Sequence, residues 1–221
     1  MIKMHKTVNN LLSIENQIKE LKTDGKKIPK IIAVSKTFDM NNIAPLITHG
    51  HKDFGENKIQ EAIEKWTKVK NENSEIKLHM LGKIQTNKVK FLFPLFDYIH
   101  SLDNIKLAAK ISSEQTKKKF KPKIFIQVNL ANETQKNGIE TTNLEKFYIK
   151  CTEELNLNII GLMCLPPSIH DPEKYFIDLK SLASNLSLKE LSMGMSNDYL
   201  KATECGSSYL RIGSNIFGQR N

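Results

Sequence analysis

Apolar residues fall along this chain in two alternating rhythms. From Val8 to Leu21, the positions Val8, Leu11, Leu12, Ile18 and Leu21 recur at helical spacing, which predicts an opening amphipathic helix broken at Asp24-Gly25. The next block, Ile31-Ile32-Ala33-Val34, is short and unbroken, follows Pro29 and ends at Ser35. That is the pattern of a strand covered on both faces. Further strands are predicted at Asp53-Phe54, Ile76 to Leu81, Tyr98-Ile99-His100, Ile124 to Val128, Ile159-Ile160, Glu190-Leu191-Ser192 and Tyr209-Leu210-Arg211. Between them the pattern predicts helices from Asn41 to Thr48, Lys58 to Val69, after Gln85, from Asn104 to about Lys117, Leu144 to Leu155, about Pro172 to Leu186, and Asp198 to Cys205. Strands alternating with helices imply parallel pairing through right-handed crossovers, and this many units favour a closed barrel over an open sheet. The expected fold is therefore α/β: a single (β/α)8 TIM barrel with an extra N-terminal helix. No repeat, low-complexity run or linker divides residues 1–221, which read as one domain.

Composition narrows the function classes. The 221 residues are 39% hydrophobic, enough for a sizeable core. The longest nearly unbroken apolar stretch, Ile159 to Pro167, falls well short of the roughly 20 residues a membrane span needs, so no membrane association is expected. Lys3 and Lys6 are followed by Thr7, Asn9 and Asn10 rather than an apolar signal segment, which points to a cytoplasmic protein. The net charge is +9, yet its only arginines are Arg211 and Arg220. Arginine is the residue suited to base-edge and bidentate phosphate recognition, so no specific nucleic acid is expected. The run Lys117, Lys118, Lys119, Lys121 and Lys123 reads as a solvated face complementing a helix C-terminus. Cys151, Cys164 and Cys205 fit neither a disulfide framework nor a zinc pattern and read as reduced thiols; no metal site is expected.

In such a barrel the chemistry sits where the strands end. Lys36 directly follows the first strand; over an apolar core its amine loses hydration, which lowers its pKa and suits it to Schiff-base formation with an aldehyde. An ordinary exposed lysine is the alternative. After the last strand, Arg211-Ile212-Gly213-Ser214-Asn215 combines a cation, a glycine and a hydroxyl, the ingredients of a phosphate cup. Met193-Gly194-Met195-Ser196-Asn197-Asp198 would form the facing wall, although Ser196 or Asn197 could instead be only a helix cap. Phe54-Gly55-Glu56-Asn57 brings Asn57 to the mouth, as a ligand-orienting amide or as the cap of the next helix. His79 lies inside a strand among apolar neighbours, where a structural histidine is the simpler reading than a catalytic one.

Ala33-Val34-Ser35-Lys36-Thr37, Phe54-Gly55-Glu56-Asn57, His79 with Leu81-Gly82 and Gln85-Thr86-Asn87-Lys88, His100-Ser101-Leu102-Asp103, Gly161-Leu162-Met163, Leu191-Ser192-Met193-Gly194-Met195-Ser196 and Arg211-Ile212-Gly213 resemble, in order, the pyridoxal phosphate homeostasis protein family. The resemblance covers nearly the whole chain. It implies the barrel of alanine racemase (fold type III of the pyridoxal phosphate proteins) without the second domain, and pyridoxal 5'-phosphate as cofactor. Lys36 would then carry it as a Schiff base, with Asn57, Met195, Ser196, Arg211, Gly213 and Ser214 around it and Arg211 facing the pyridine nitrogen. A guanidinium there does not give up a proton, so the ring would be a weak electron sink.

The resemblance implies a cofactor carrier or buffer influencing amino-acid and keto-acid balance, with no catalytic residues assigned. Its partners would be the cofactor and pyridoxal-dependent apoenzymes, and the expected state is a monomer. A racemase is the main alternative; it needs acid/base groups on both faces of the substrate carbon, and no tyrosine sits in a recognised motif for the second. A phosphosugar aldolase, with the Lys36 Schiff base and the same phosphate cup but no cofactor, is the other. One departure stands out: Phe38 replaces the second lysine found in many relatives two positions after Lys36. Lys136, ahead of Gly138, retains the lysine-then-glycine pattern after the fifth strand; it is the better candidate if the family has a second cofactor site, although a solvated loop lysine is the simpler reading.

Overall fold

The computed structural model describes residues 4–21, 27–131, 137–167 and 171–219. The strands run β1 (Lys30–Val34), β2 (Asp53–Glu56), β3 (Lys77–Met80), β4 (Tyr98–Leu102) and β5 (Lys123–Asn129). A two-residue strand, β6 (Ile139–Glu140), is added at the end of β5, and β7 (Asn158–Met163), β8 (Glu190–Met195) and β9 (Tyr209–Ile212) follow. Every pairing is parallel, in the order β4-β3-β2-β1-β9-β8-β7-β5, and β5 returns to pair with β4. Eight strands thus close a (β/α)8 barrel, as the alternation predicted. Closure leaves no edge among these strands, and both faces of each are covered, which is why β1 reads as a continuous apolar run.

The helices are α1 (Lys6–Glu20), α2 (Met40–Thr48), α3 (Ile59–Glu72), α4 (Ile105–Lys118), α5 (Leu144–Ile149), α6 (Pro172–Asn185), α7 (Tyr199–Glu204) and α8 (Ser214–Phe217). Short polar side chains set several starts: Asp39 accepts from Asn42 N–H, Asn104 from Leu107 N–H and Asp171 from Glu173 N–H. The extra helix α1 buries Val8, Leu11, Ile14 and Ile18 and lies against α2 and α8, where Asn10 Nδ2 donates to Ile216 O at 2.9 Å. The main core fills the layer between strands and helices around Phe54, Trp66 and Phe176. Inside the ring, Ile32, Tyr98, Phe125, Met163 and Tyr209 form a separate cluster.

Three expectations are corrected. After Gln85 there is no regular crossover helix but a six-residue 3-10 segment, Thr86–Phe91; Pro94, which lacks an N–H, prevents its continuation into a longer helix. The helix expected from Leu144 to Leu155 changes at Lys150–Glu154 to π-helical winding. The strands at Tyr98, Ile159 and Glu190 run two to four residues longer than expected, because parallel ladders carry polar and glycine residues along with the apolar run. The helix break at Asp24-Gly25 lies outside the described residues.

Candidate functional site

A cavity of about 930 Å³ opens at the C-terminal ends of the strands. Lys36, Asn57, Met195, Ser196, Arg211, Gly213 and Ser214 all line it. Lys136 lies outside the described residues. The capping readings do not hold: Lys58, not Asn57, occupies the cap of α3, and Asp198, not Ser196 or Asn197, occupies the cap of α7.

The backbone around Lys36 is held from below. Thr37 has a left-handed φ of 69°, unusual for a β-branched residue. Its N–H donates to Glu61 Oε1 at 2.6 Å. Lys65 Nζ donates to Ser35 O at 2.9 Å and Phe38 O at 3.1 Å, on either side of Lys36. The same ammonium meets Glu56 Oε1 at 2.9 Å, and that oxygen also accepts from Ser35 Oγ at 2.7 Å and Trp66 Nε1 at 2.9 Å. Burial raises the Glu61 carboxyl, but the hydrogen bond from Thr37 and the charge of Lys65 outweigh it and hold the group below its ordinary value. Phe38 stacks on Phe217 with ring centroids 4.9 Å apart, joining the β1 loop to α8.

Across the cavity, Arg211 is buried at 5% exposure. Its Nη1 donates to Ser192 Oγ at 2.7 Å and its Nη2 to Cys164 O at 2.9 Å. The cup is drawn together by Ser196, whose Oγ accepts from the N–H groups of Gly213 and Asn215, each at 3.4 Å, and whose carbonyl accepts from Asn215 Nδ2 at 2.8 Å. Gly82 sets the opposite rim, since a Cβ there would overlap the Asn57 carbonyl. Burial pushes the Cys164 thiol up to about 12, so it is neither thiolate nor nucleophile at neutral pH.

A protein-family model described as "Alanine racemase, N-terminal domain" matches residues 10–221. The pyridoxal phosphate homeostasis protein of Aquifex aeolicus is 36% identical over 205 residues, covering 89% of this chain and 89% of its own. The Homo sapiens protein of the same name is 35% identical over 215 residues, covering 87% of this chain and 77% of its own. This chain belongs to the pyridoxal phosphate homeostasis protein family. Among solved structures, PipY of Synechococcus elongatus with PLP bound matches at a TM-score of 0.85 and 29% identity, covering 96% of this chain and 100% of PipY. Alanine racemase of Clostridium difficile shares the fold, with a TM-score of 0.72 at 13% identity over 97% of this chain and 57% of the racemase.

Set against this homeostasis family, the sequence reading missed several residues of the site. Leu165, Pro166, Pro167 and Pro172 form an apolar wall, and the rule that chemistry follows a strand end would have flagged the first three had β7 been drawn to its full length. Lys65 and Glu61 had no local signal, because they come from a helix face. Among the described residues no tyrosine lines the cavity. Tyr98 and Tyr209 are buried within the ring, and Tyr199 donates to Gln17.

Proposed function

We propose that this chain serves pyridoxal phosphate homeostasis by holding the cofactor in the cavity at the strand ends, with no amino-acid turnover of its own. Lys36 would be the covalent anchor, Arg211 would face the ring nitrogen, Ser196, Gly213 and Ser214 would hold the phosphate, and Asn57 and Met195 would complete the lining. One observation carries this reading: a strand-end amine, a buried guanidinium and a hydroxyl with converging backbone N–H groups share one cavity. That donor set fits the group, supplying an amine for its aldehyde, a cation for its ring nitrogen and hydrogen-bond donors for its phosphate. The names of the relatives, which describe homeostasis rather than an enzyme, support it further.

When bound, pyridoxal phosphate supplies an aldehyde carbon and an electron-withdrawing ring. The chain's own groups then favour retention over turnover. Arg211 keeps its proton, because a guanidinium stays charged even where burial lowers its pKa, so it does not protonate the ring nitrogen. Racemisation needs a second acid/base group opposite Lys36, and among the described residues no tyrosine lines the cavity. In this reading the recipients are pyridoxal-dependent apoenzymes, and the carrier is a cytoplasmic monomer. No helix among the described residues is long and apolar enough to cross a membrane.

Borohydride reduction of the loaded protein followed by peptide mapping tests the anchor. The label is expected on Lys36 and is lost in Lys36→Ala, which keeps its fold. A label on another lysine would remove Lys36 from the site. Transfer is tested by mixing loaded protein with a cofactor-free pyridoxal-dependent enzyme, where activity is expected to return faster than with free cofactor at the same concentration.

A further inference from the structure

A single chain of polar groups threads the interior of the barrel from the cavity to its opposite end. At the mouth, Arg211 Nη1 donates to Ser192 Oγ at 2.7 Å. Ser192 Oγ lies 2.8 Å from His100 Nδ1, His100 Nε2 lies 2.9 Å from His79 Nδ1, and His79 Nε2 lies 3.0 Å from Asp53 Oδ1. Ser192, His100 and His79 are each at 0% exposure. The ring of Tyr98 stacks on His79 at 4.2 Å and that of Phe125 on His100 at 4.4 Å, enclosing both imidazoles. Asp53 is the first residue of β2 and therefore stands at the end of the barrel away from the cavity.

Hydrogen-bond valence gives this chain a direction. Burial raises the Asp53 carboxyl, but the hydrogen bond from His79 and the nearby charge of Lys30 work against it and the group stays below its ordinary value, so Asp53 is ionised and only accepts. His79 Nε2 must then carry a hydrogen. Burial lowers the pKa of both histidines, which leaves each with one N–H. With its hydrogen on Nε2, His79 accepts at Nδ1, and His100 must donate from Nε2. His100 in turn accepts at Nδ1, so Ser192 O–H donates to it and keeps its oxygen lone pairs for Arg211. Every donor along the path points from Arg211 toward Asp53.

We propose that Asp53 is a positioning residue for Arg211: acting through His79, His100 and Ser192, it sets the polarity of the barrel's interior and aims the guanidinium into the cavity. The assignment rests on the reading that the cavity holds pyridoxal phosphate with Arg211 at its ring. The orientation of the chain is nevertheless a property of the protein alone.

Nitrogen-15 NMR of the cofactor-free protein tests the orientation directly. His79 and His100 are both expected as Nε2–H tautomers. In Asp53→Leu the tautomer of His100, which does not touch Asp53, is expected to change. Asp53→Asn, whose carbonyl oxygen still accepts, is expected to restore it. In Ser192→Ala both tautomers are expected to persist, because polarity is set from the Asp53 end; a change there would overturn the proposal without requiring Asp53→Leu to fold. On adding pyridoxal phosphate, Asp53→Leu is expected to shift the absorbance band of the bound cofactor and weaken binding about fivefold, the effect of one net hydrogen bond. An unchanged His100 tautomer, or an unchanged band and affinity, would refute the positioning role. Failure of the Lys36 labelling would instead refute the cofactor reading, leaving the tautomers as they are.

Discussion

Lys65 supports the candidate anchor without lining the cavity. It reaches from α3 under the β1 loop, ties the carbonyls of Ser35 and Phe38 together, and neutralises Glu56. The side chains of Lys65 and Glu56 are 9% and 0% exposed, and Glu56 Oε2 is buried without a hydrogen-bond partner among the described residues. Removing the ammonium therefore leaves a carboxylate in the core with no counter-charge. Lys65→Met is expected to lower stability by about 3 kcal/mol, read from urea unfolding, because breaking one side of a buried ion pair strands the other. In the folded fraction, cofactor binding is expected to weaken as well, since the Thr37 conformation loses part of its scaffold. If stability and binding were both unchanged, the loop would be held by Glu61 alone.

Among the elements, the closest constraint lies where β7 meets β8. Gly161 is paired with Glu190, and a Cβ on Gly161 would overlap the Glu190 carbonyl oxygen. Backbone cannot swing aside as a flexible side chain can. Gly161→Ala is expected to destabilise the fold by about 3 kcal/mol through overpacking, again measured by urea unfolding. A near-wild-type midpoint would mean that the strands separate at little cost. The rim glycine Gly82 shows the same logic at the site, where the close approach to Asn57 holds the ends of β2 and β3 together.

For the whole molecule, two buried histidines, His79 and His100, and the half-buried His51 couple folding to pH. Burial lowers the pKa of His51, His79 and His100 below the ordinary value of 6.5. As pH falls through 6.5, the unfolded chain takes up protons that the folded one refuses, so the unfolded state gains. Stability is expected to be level above that pH and to fall below it, by up to about 1.4 kcal/mol per pH unit for each histidine. Urea midpoints at neutral pH and at about one unit below 6.5 check this, and equal midpoints would show that the interior accepts protons readily. The whole cavity also predicts its chemistry: incubated with L-alanine and saturating cofactor, the protein is expected to accumulate no D-alanine. Sustained D-alanine that disappears in Lys36→Ala would restore the racemase reading.

The alternation of apolar runs and helical periods was enough to name the barrel, because strand and helix rhythms are local and the parallel closure follows from their number and order. Position at a strand end, also local, was enough to bring out Lys36, Asn57, Arg211 and the Met195 to Ser196 and Gly213 to Ser214 segments, which the fold gathers round one cavity. His79, by contrast, reads in sequence as an isolated polar residue inside a strand. Its partners Asp53 and His100, and Ser192 beyond His100, come from three other strands, and only the register of the closed ring brings their side chains within hydrogen-bond distance. The same holds for Lys65 beneath Lys36, and for the apolar wall at Leu165 to Pro167. Local pattern decides what each segment becomes, whereas which inward-facing polar groups find one another is decided by closure of the barrel, since a buried polar group is stable only beside the partner that closure delivers.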